Sequence, residues 1–407
     1  MDYPKLRPVN VFPVEMSGQT LICLQDPQNI SEKALFLPPQ TYYILTLLDG
    51  QHTFLDIQAE YMRQFGQFLY TEKLEETLSQ LDENLYLENE RFQEALKESD
   101  ARFKRSPVRE AAFAGKSYEA DPNRLRIQLD GYFKGQEGPG PLGEKGSVGL
   151  KGVIAPHIDF QRGGFCYAFA HREVWEKSGG DYFILLGIAH TGMEHPFSLT
   201  KKDYVTPLGR LETDRDLVDA IQSRCAYDLF RDERVHRSEH SLEFQCLFLR
   251  FLYPEPTPLK IVPILCGSFQ GAMEQGVSPM EWKPFRQFIE AFTESVSERR
   301  KEACYIASVD LAHMGLQFGD QKGMGAYDRR LLEETDREML GYVGKMDGEG
   351  FYSSILREQD QRKICGLPAI YTLLKVMEAE EGRLLKYGQS YTPETQSVVS
   401  FASLAFY

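Results

Sequence analysis

No two cysteines in this chain form a C-x-x-C pair, no apolar run is long enough to cross a bilayer, and basic residues are outnumbered by acidic ones. The seven cysteines are scattered and odd in number, which suits reduced thiols better than a disulfide framework and leaves each of them available as a ligand. A spanning helix needs roughly 20 apolar residues. The start, MDYPKLRPVN, lacks the basic-then-apolar pattern of a secretory signal, so the expectation is a cytoplasmic protein. With 46 Lys and Arg against 60 Asp and Glu, the net charge is −14, which argues against a broad basic face that would neutralise the phosphates of nucleic acid or an anionic membrane and leaves room only for a local basic patch. The Gly-rich stretch 135–152, GQEGPGPLGEKGSVGLKG, lacks both G-x-x-x-x-G-K-[ST] and a strand placed before G-x-G-x-x-G. It reads as a connection and not as a phosphate cradle. No repeat of the solenoid kind is visible.

What the chain does have is enough apolar residue, 42% of 407, to fill two or three cores. Four short runs stop at chemically active residues: KGVIAP before His157, YFILLGIA before His190, KIVPIL before Cys266, and ACYIASV before Asp310-LA-His313. They are hydrophobic on both alternations, as strands buried on both faces are. The expected fold is α/β: a three-layer α/β/α domain with a central, mostly parallel or mixed sheet. Ligands of such sheets bind beyond the strand carboxyl ends, so the ends carrying His and Asp imply one shared site, whereas Cys266 lies in a core-like I-V-P-I-L-C-G-S run.

Residues 1–95 read differently. TYYILTLLDG has helical spacing and ends on Gly50; Thr53 and Thr71 can cap two further helices, and LYLENERF alternates like a strand. This pattern, with its DG before the second helix, resembles PqqD-like winged-helix modules that recognise peptides. Its third helix and wing are acidic, opposite to a DNA reader, so the expected partner is a protein or peptide, against the plainer reading of a structural appendage. Residues 96–106 read as a charged linker, and 107–407 as the second domain.

Taken singly, His157 and His190 suit a hydrogen-bonded core as well as a ligand role; as two independent strand ends terminating in His they point to ligands. The D-x-x-H of Asp310 and His313 lets a carboxylate steer an imidazole for acid/base work, or caps a helix. Cys365 precedes Gly366 and Pro368 at a helix start, near Arg362 and Lys363, a setting that favours thiolate. His236, Glu239 and His240 spell H-x-x-E-H, the inverted zinc-peptidase motif, which needs both His on one helical face. Ser238 as N-cap would leave His236 outside that helix, so Glu239 and His240 read better as groups shaping the same crevice.

Assembled, the blocks APHIDF, LLGIAH, KDYVTPLG, EHSLEFQCLFL, IVPILCGS, SVDLAHMG, KICGLPAIYTLL and QSVVSFASLAFY resemble the Memo family, called protein B of the AmmeMemoRadiSam system. The resemblance implies a fold similar to class III extradiol dioxygenases, with a non-heme metal held by His157, His190 and Cys365, and with Asp310 and His313 alongside. A thiolate in place of the usual carboxylate is softer, which fits one iron or copper ion, with zinc as a further choice. It also implies a link to a radical S-adenosylmethionine partner. The chain departs from the family's H-A-G-Y, having His157-Ile158-Asp159-Phe160, and Asp159 is an added ligand, a base or a turn cap. The resulting expectation is a metal-dependent, redox-related protein, an oxidoreductase of dioxygenase-like kind if it is an enzyme, in which Asp310 steers His313 while Glu239 and His240 shape the pocket. Its alternatives are a non-catalytic metal- or peptide-binding adaptor and, third, a zinc peptidase.

Overall fold

A computed structural model describes residues 3–299 and 302–407 apart from 17, 29, 32 and 148. The chain divides into two compact units, Met1–Ser106 and Pro107–Tyr407. The first holds an antiparallel sheet of β1 (Asn10–Met16), β2 (Gln19–Gln25) and β3 (Leu35–Leu37), followed by α1 (Pro39–Thr46), α2 (Phe54–Phe65), α3 (Thr71–Glu83) and α4 (Glu90–Arg105). Leu24, Ile57, Leu74 and Leu81 fill its core. Thr53 caps α2 as expected, in a reciprocal box with Asp56. Three expectations shift. Helix α1 ends before Gly50, which instead takes a left-handed turn at φ 80°. Thr71 lies inside α3, whose N-cap is Tyr70. LYLENERF is no strand: Leu87 makes a single bridge to Leu6, and Asn89 then caps α4 through the Phe92 amide at 3.0 Å. The helix runs unbroken through the charged segment 96–105.

The second unit begins with β4 (Val108–Arg109), α5 (Pro122–Lys134), β5 (Gly152–Ala155), α6 (Phe160–Lys177), β6 (Tyr182–Ile188) and β7 (Phe197–Leu199). Then come β8 (Asp203–Thr206), β9 (Gly209–Thr213), α7 (Arg215–Arg224), α8 (His240–Leu252), β10 (Lys260–Cys266), α9 (Gln270–Gln275) and α10 (Lys283–Ser297). It closes with β11 (Cys304–Ser308), β12 (His313–Met314), α11 (Ala326–Gly344), α12 (Gly348–Arg357), α13 (Leu367–Val376), β13 (Gly382–Thr392) and β14 (Ser397–Phe406). One mixed sheet runs in the order β12-β14-β5-β11-β6-β10-β9-β8-β4, with β13 on β14 and β7 on β10. Its centre, β5-β11-β6-β10, is parallel.

The double-sided hydrophobicity of these strands follows from two cores. Ile154, Ile184, Leu186 and Ile264 face one layer, built with α7 and α10 to α13. Val153, Phe183, Leu185 and Leu265 face the other, built with α5, α6 and α8. Successive residues point to opposite faces, so both must be apolar.

Inside the second layer lies a fully buried ion pair, Arg109 with Glu243. Glu243 also accepts from the amides of Ala112 and Phe113 at 3.1 and 3.0 Å and from the Tyr118 hydroxyl. Arg109 donates to the carbonyls of His236 and Glu239 at 2.9 and 2.8 Å. Removing one charge strands the other in a medium that cannot solvate it. Glu243→Ala is therefore expected to cost about 3–5 kcal/mol, read as a drop in urea stability of the full chain. A loss below about 1 kcal/mol would mean that water reaches Arg109.

Candidate functional site

The register of the central strands levels their carboxyl ends. Ala155 pairs with Ser308 and Ala307 with Leu186, so His157 and Asp310 each stand two residues beyond adjacent strands, and His190 stands two beyond β6. Helix α8 reaches the same place because Gly187 has no side chain. A Cβ there would lie 2.6 Å from Ser241 Oγ and 2.8 Å from Leu242. That Ser241 hydroxyl donates to the Ile188 carbonyl at 3.0 Å and accepts from its amide at 3.1 Å, seating His240, the first residue of α8, beside His190.

The ligand atoms of His157, His190 and His240 all lie within 4.8 Å of one another, and the ring centroids are 4.8 to 5.2 Å apart. Each ring has an oxygen at Nδ1. His157 Nδ1 lies 3.0 Å from the Ser308 carbonyl, His190 Nδ1 3.1 Å from Glu239, and His240 Nδ1 3.2 Å from the same carboxylate. Nδ1–H donation to those oxygens leaves Nε2 as the lone-pair nitrogen, the arrangement that holds an imidazole for a metal. The donor set therefore fits a divalent transition ion: three imidazole nitrogens, an oxygen holding each ring from behind, and a nearby sulfur.

Electrostatics favour the neutral ring at His157 and His240, and the charged one at His190. Burial holds His157 well below its ordinary pKa, helped by His190 and His240. Burial also takes His240 down to about 4 against the pull of Glu239. At His190 desolvation opposes charge, but Glu239 outweighs it and raises the pKa. Glu239 stays ionised although burial works against it, because His190 and His240 hold its pKa well down. Asp310 is pushed up to about 7 by burial, which its two backbone hydrogen bonds only partly offset.

The other expected residues fall in different places. Asp310 does not steer His313. Its Oδ1 accepts from the amides of His157 and Ile158, both at 3.1 Å, and its Oδ2 lies 3.6 Å from His157 Nε2. His313 turns its Nδ1 toward the Leu311 carbonyl at 3.2 Å, with its ring edge-on to Phe318. The reason is the tight turn after β11, which aims the carboxylate back across the sheet toward β5. Cys365 Sγ lies 3.5 Å from His157 Nε2 and 3.5 Å from the Asp310 carbonyl. It meets one of the three imidazoles, and the compact triplet is completed by His240 instead. The expected thiolate bias is absent from the unligated thiol: burial and then Asp310 raise its pKa well above the ordinary value, while Arg362 is tied to Asp336 and Glu358, and Lys363 to Asp320.

His236 belongs to a 3-10 turn, Glu233–Ser238, and lies outside α8. Both its ring nitrogens are engaged, with the Tyr204 hydroxyl at 3.0 Å and the Ser198 carbonyl at 3.1 Å, so the H-x-x-E-H residues do not form a peptidase face. The N-cap of α8 is Glu239 and not Ser238. Asp159 caps α6 through the Arg162 amide at 3.2 Å and pairs with the Arg162 side chain, the turn-capping reading of that residue.

Behind the triplet, sequence reasoning missed a buried polar relay. Ser308 Oγ accepts from Gln245 Nε2 at 2.7 Å and donates to the Ser241 carbonyl at 2.6 Å, while Gln245 Oε1 meets His171 Nε2 at 2.9 Å. A glutamine and a histidine inside otherwise apolar helical segments were the available signal.

Residues 109–405 match the sequence model of a family described as Memo-like protein. A MEMO1 family protein of Aquifex aeolicus is 29% identical over 407 residues, covering 99% of this chain and 100% of the relative. MEMO1 family proteins of Methanothermobacter thermautotrophicus and Methanopyrus kandleri are 30% and 29% identical; each alignment covers 73% of this chain and 100% and 98% of the relative.

The relay sets a pH test. Burial lowers His171 to about 4 against an ordinary 6.5, with the Gln245 bond working the other way. The unfolded chain thus binds a proton that the native one refuses, so the His171 contribution is intact above 6.5 and lost as pH falls toward 4. His171→Gln is expected to flatten the stability curve of the full chain across that window, by up to about 1.4 kcal/mol per pH unit. An unchanged slope in urea titrations would show that His171 already carries its proton in the folded state.

Proposed function

The chain belongs to the Memo-like protein family, and we propose that it is a metal-holding protein with a redox-capable, non-heme centre of iron or copper. The observation that carries this reading is the three-imidazole group with every Nδ1 backed by oxygen. His157 and His190 provide two donors. The third place has two claimants on this chain: His240, which completes the compact triplet, and Cys365, whose sulfur touches the His157 ring. A bound ion would supply redox and Lewis-acid chemistry.

The chain's own groups set the terms. Glu239 orients His190 and His240, Asp310 anchors the His157 turn, and His313 stands at the side as the acid/base candidate. The relation to extradiol dioxygenases belongs to this proposal, as does dioxygen as co-substrate. For the unit Met1–Ser106 we propose a peptide or protein partner, a radical S-adenosylmethionine enzyme among them. Its exposed Leu55, Met62, Phe68 and Tyr70 offer the apolar contact such a partner needs. The second reading, a metal-holding adaptor without turnover, is favoured by the engagement of Asp310 with backbone amides instead of with His313.

Metal analysis of the purified full chain tests the centre. Iron or copper near one per chain is expected, falling at least tenfold in His157→Ala and His190→Ala and retained in His236→Ala. Full retention in both of the first two variants would sink the proposal, and loss with His236→Ala would restore the peptidase reading. Comparing His240→Ala with Cys365→Ala identifies the third donor. Oxygen uptake with catechol as probe, abolished by His313→Ala, is expected of an enzyme; no uptake with any reductant or catechol tried favours the adaptor.

A further inference from the structure

Asp336, in the middle of α11, is a fully buried carboxylate that reaches three other elements. One oxygen pairs with the Arg362 guanidinium. The other accepts from the Ser400 hydroxyl of β14 at 2.6 Å and the Tyr387 hydroxyl of β13 at 2.9 Å. Arg362 is further held by Glu358, at 2.8 Å from both Nε and Nη2.

Through these partners the carboxylate grips both chemistry-bearing loops. Ser400 Oγ accepts from the Ala312 amide at 3.0 Å, and the Ser400 backbone bonds Leu311 and Ala312 at 2.8 and 3.0 Å. The Arg362 carbonyl accepts from the His313 amide at 2.8 Å, and the Gly366 amide donates to the Asp310 carbonyl at 3.1 Å. A Cβ on Gly366 would stand 2.6 Å from that carbonyl oxygen, so the loops are in direct backbone contact. The second loop is also strained: Gln359, Asp360 and Lys363 hold φ of 53°, 50° and 51°, a left-handed conformation that persists only where surrounding contacts over-determine it.

We propose that Asp336 is a positioning residue, a clasp that fixes the loop carrying His313 against the loop carrying Cys365. Its bearing on chemistry rests on the metal-centre reading, whereas the clasp itself does not. The test is therefore made on metal-free full-length protein. Six of the seven cysteines are buried and Cys365 alone is part-exposed, so N-ethylmaleimide labelling followed by peptide mass spectrometry reads the second loop, with six internal controls for unfolding. Asp336→Asn and the milder Ser400→Ala are expected to raise the Cys365 labelling rate at least fivefold while the other thiols stay protected. They are also expected to shift the His313 amide resonance while leaving those of His171 and His236 in place. Arg362→Lys, which keeps the charge, is expected to fall between wild type and Asp336→Asn.

Unchanged Cys365 labelling and His313 resonance in both variants overturn the clasp. So does general exposure of all seven thiols in Asp336→Asn combined with an unaltered Ser400→Ala, because that pattern marks Asp336 as a folding residue only. Metal retention in His157→Ala is a separate measurement, so failure of the centre and failure of the clasp give different results.

Discussion

The site depends on one buried carboxylate. Glu239 caps α8 through the Ser241 amide at 2.9 Å, accepts from the His190 amide at 3.0 Å, and faces the Nδ1 atoms of both His190 and His240. An isolated carboxylate in such a place would cost several kcal/mol in lost hydration; here four donors surround it. The same bonds settle the tautomer of two rings, because an ionised carboxylate can only accept. Its backbone carbonyl is held in turn by Arg109, which connects the geometry of the imidazoles to the Arg109–Glu243 pair in the core. Losing either partner of that pair would loosen the turn that presents Glu239.

Much of this was legible from periodicity alone. The runs before His157, His190 and Asp310 had to be strands buried on both faces, and adjacency of parallel strands then brings their ends together. The direction of side chains beyond those ends was not legible. Asp310 and His313 are three residues apart, which suggests mutual contact, but after β11 the chain turns sharply enough that Asp310 faces the β5 turn while His313 joins β14 through Val399. Whether His240 lines the same crevice as His190 depends on how closely α8 approaches β6, which is decided by Gly187 and Ser241, two residues whose importance is invisible until they touch. In the first unit, the hairpin of β1 and β2 passed unread because its first strand alternates only weakly and contains Pro13.

The cysteine illustrates how local reasoning about charge can reverse. Arg362 and Lys363 lie within three residues of Cys365, and sequence proximity suggested a stabilised thiolate. Each base is committed to a carboxylate, Asp336 and Glu358 for one and Asp320 for the other, so little of their field is left for the sulfur, whereas burial and, after it, Asp310 disfavour the thiolate. A thiolate at this position therefore needs a positive charge that the protein's own side chains do not supply. A bound cation would supply it, and binding there should release a proton.

The site also divides by rigidity. His157 and His190 follow the two strands that flank β11 at the centre of the sheet, where a shift would break parallel ladders and the packing of two cores. His240, Cys365 and His313 sit on a helix start, a loop and a two-residue edge strand, outside the central parallel ladders. The sheet therefore fixes His157 and His190, whereas the other three depend on how α8 and the loops are seated. Of the groups proposed above as donors, the third is then the one the sheet itself does not place: His240 depends on how α8 seats against Gly187, and Cys365 on the loop ahead of α13.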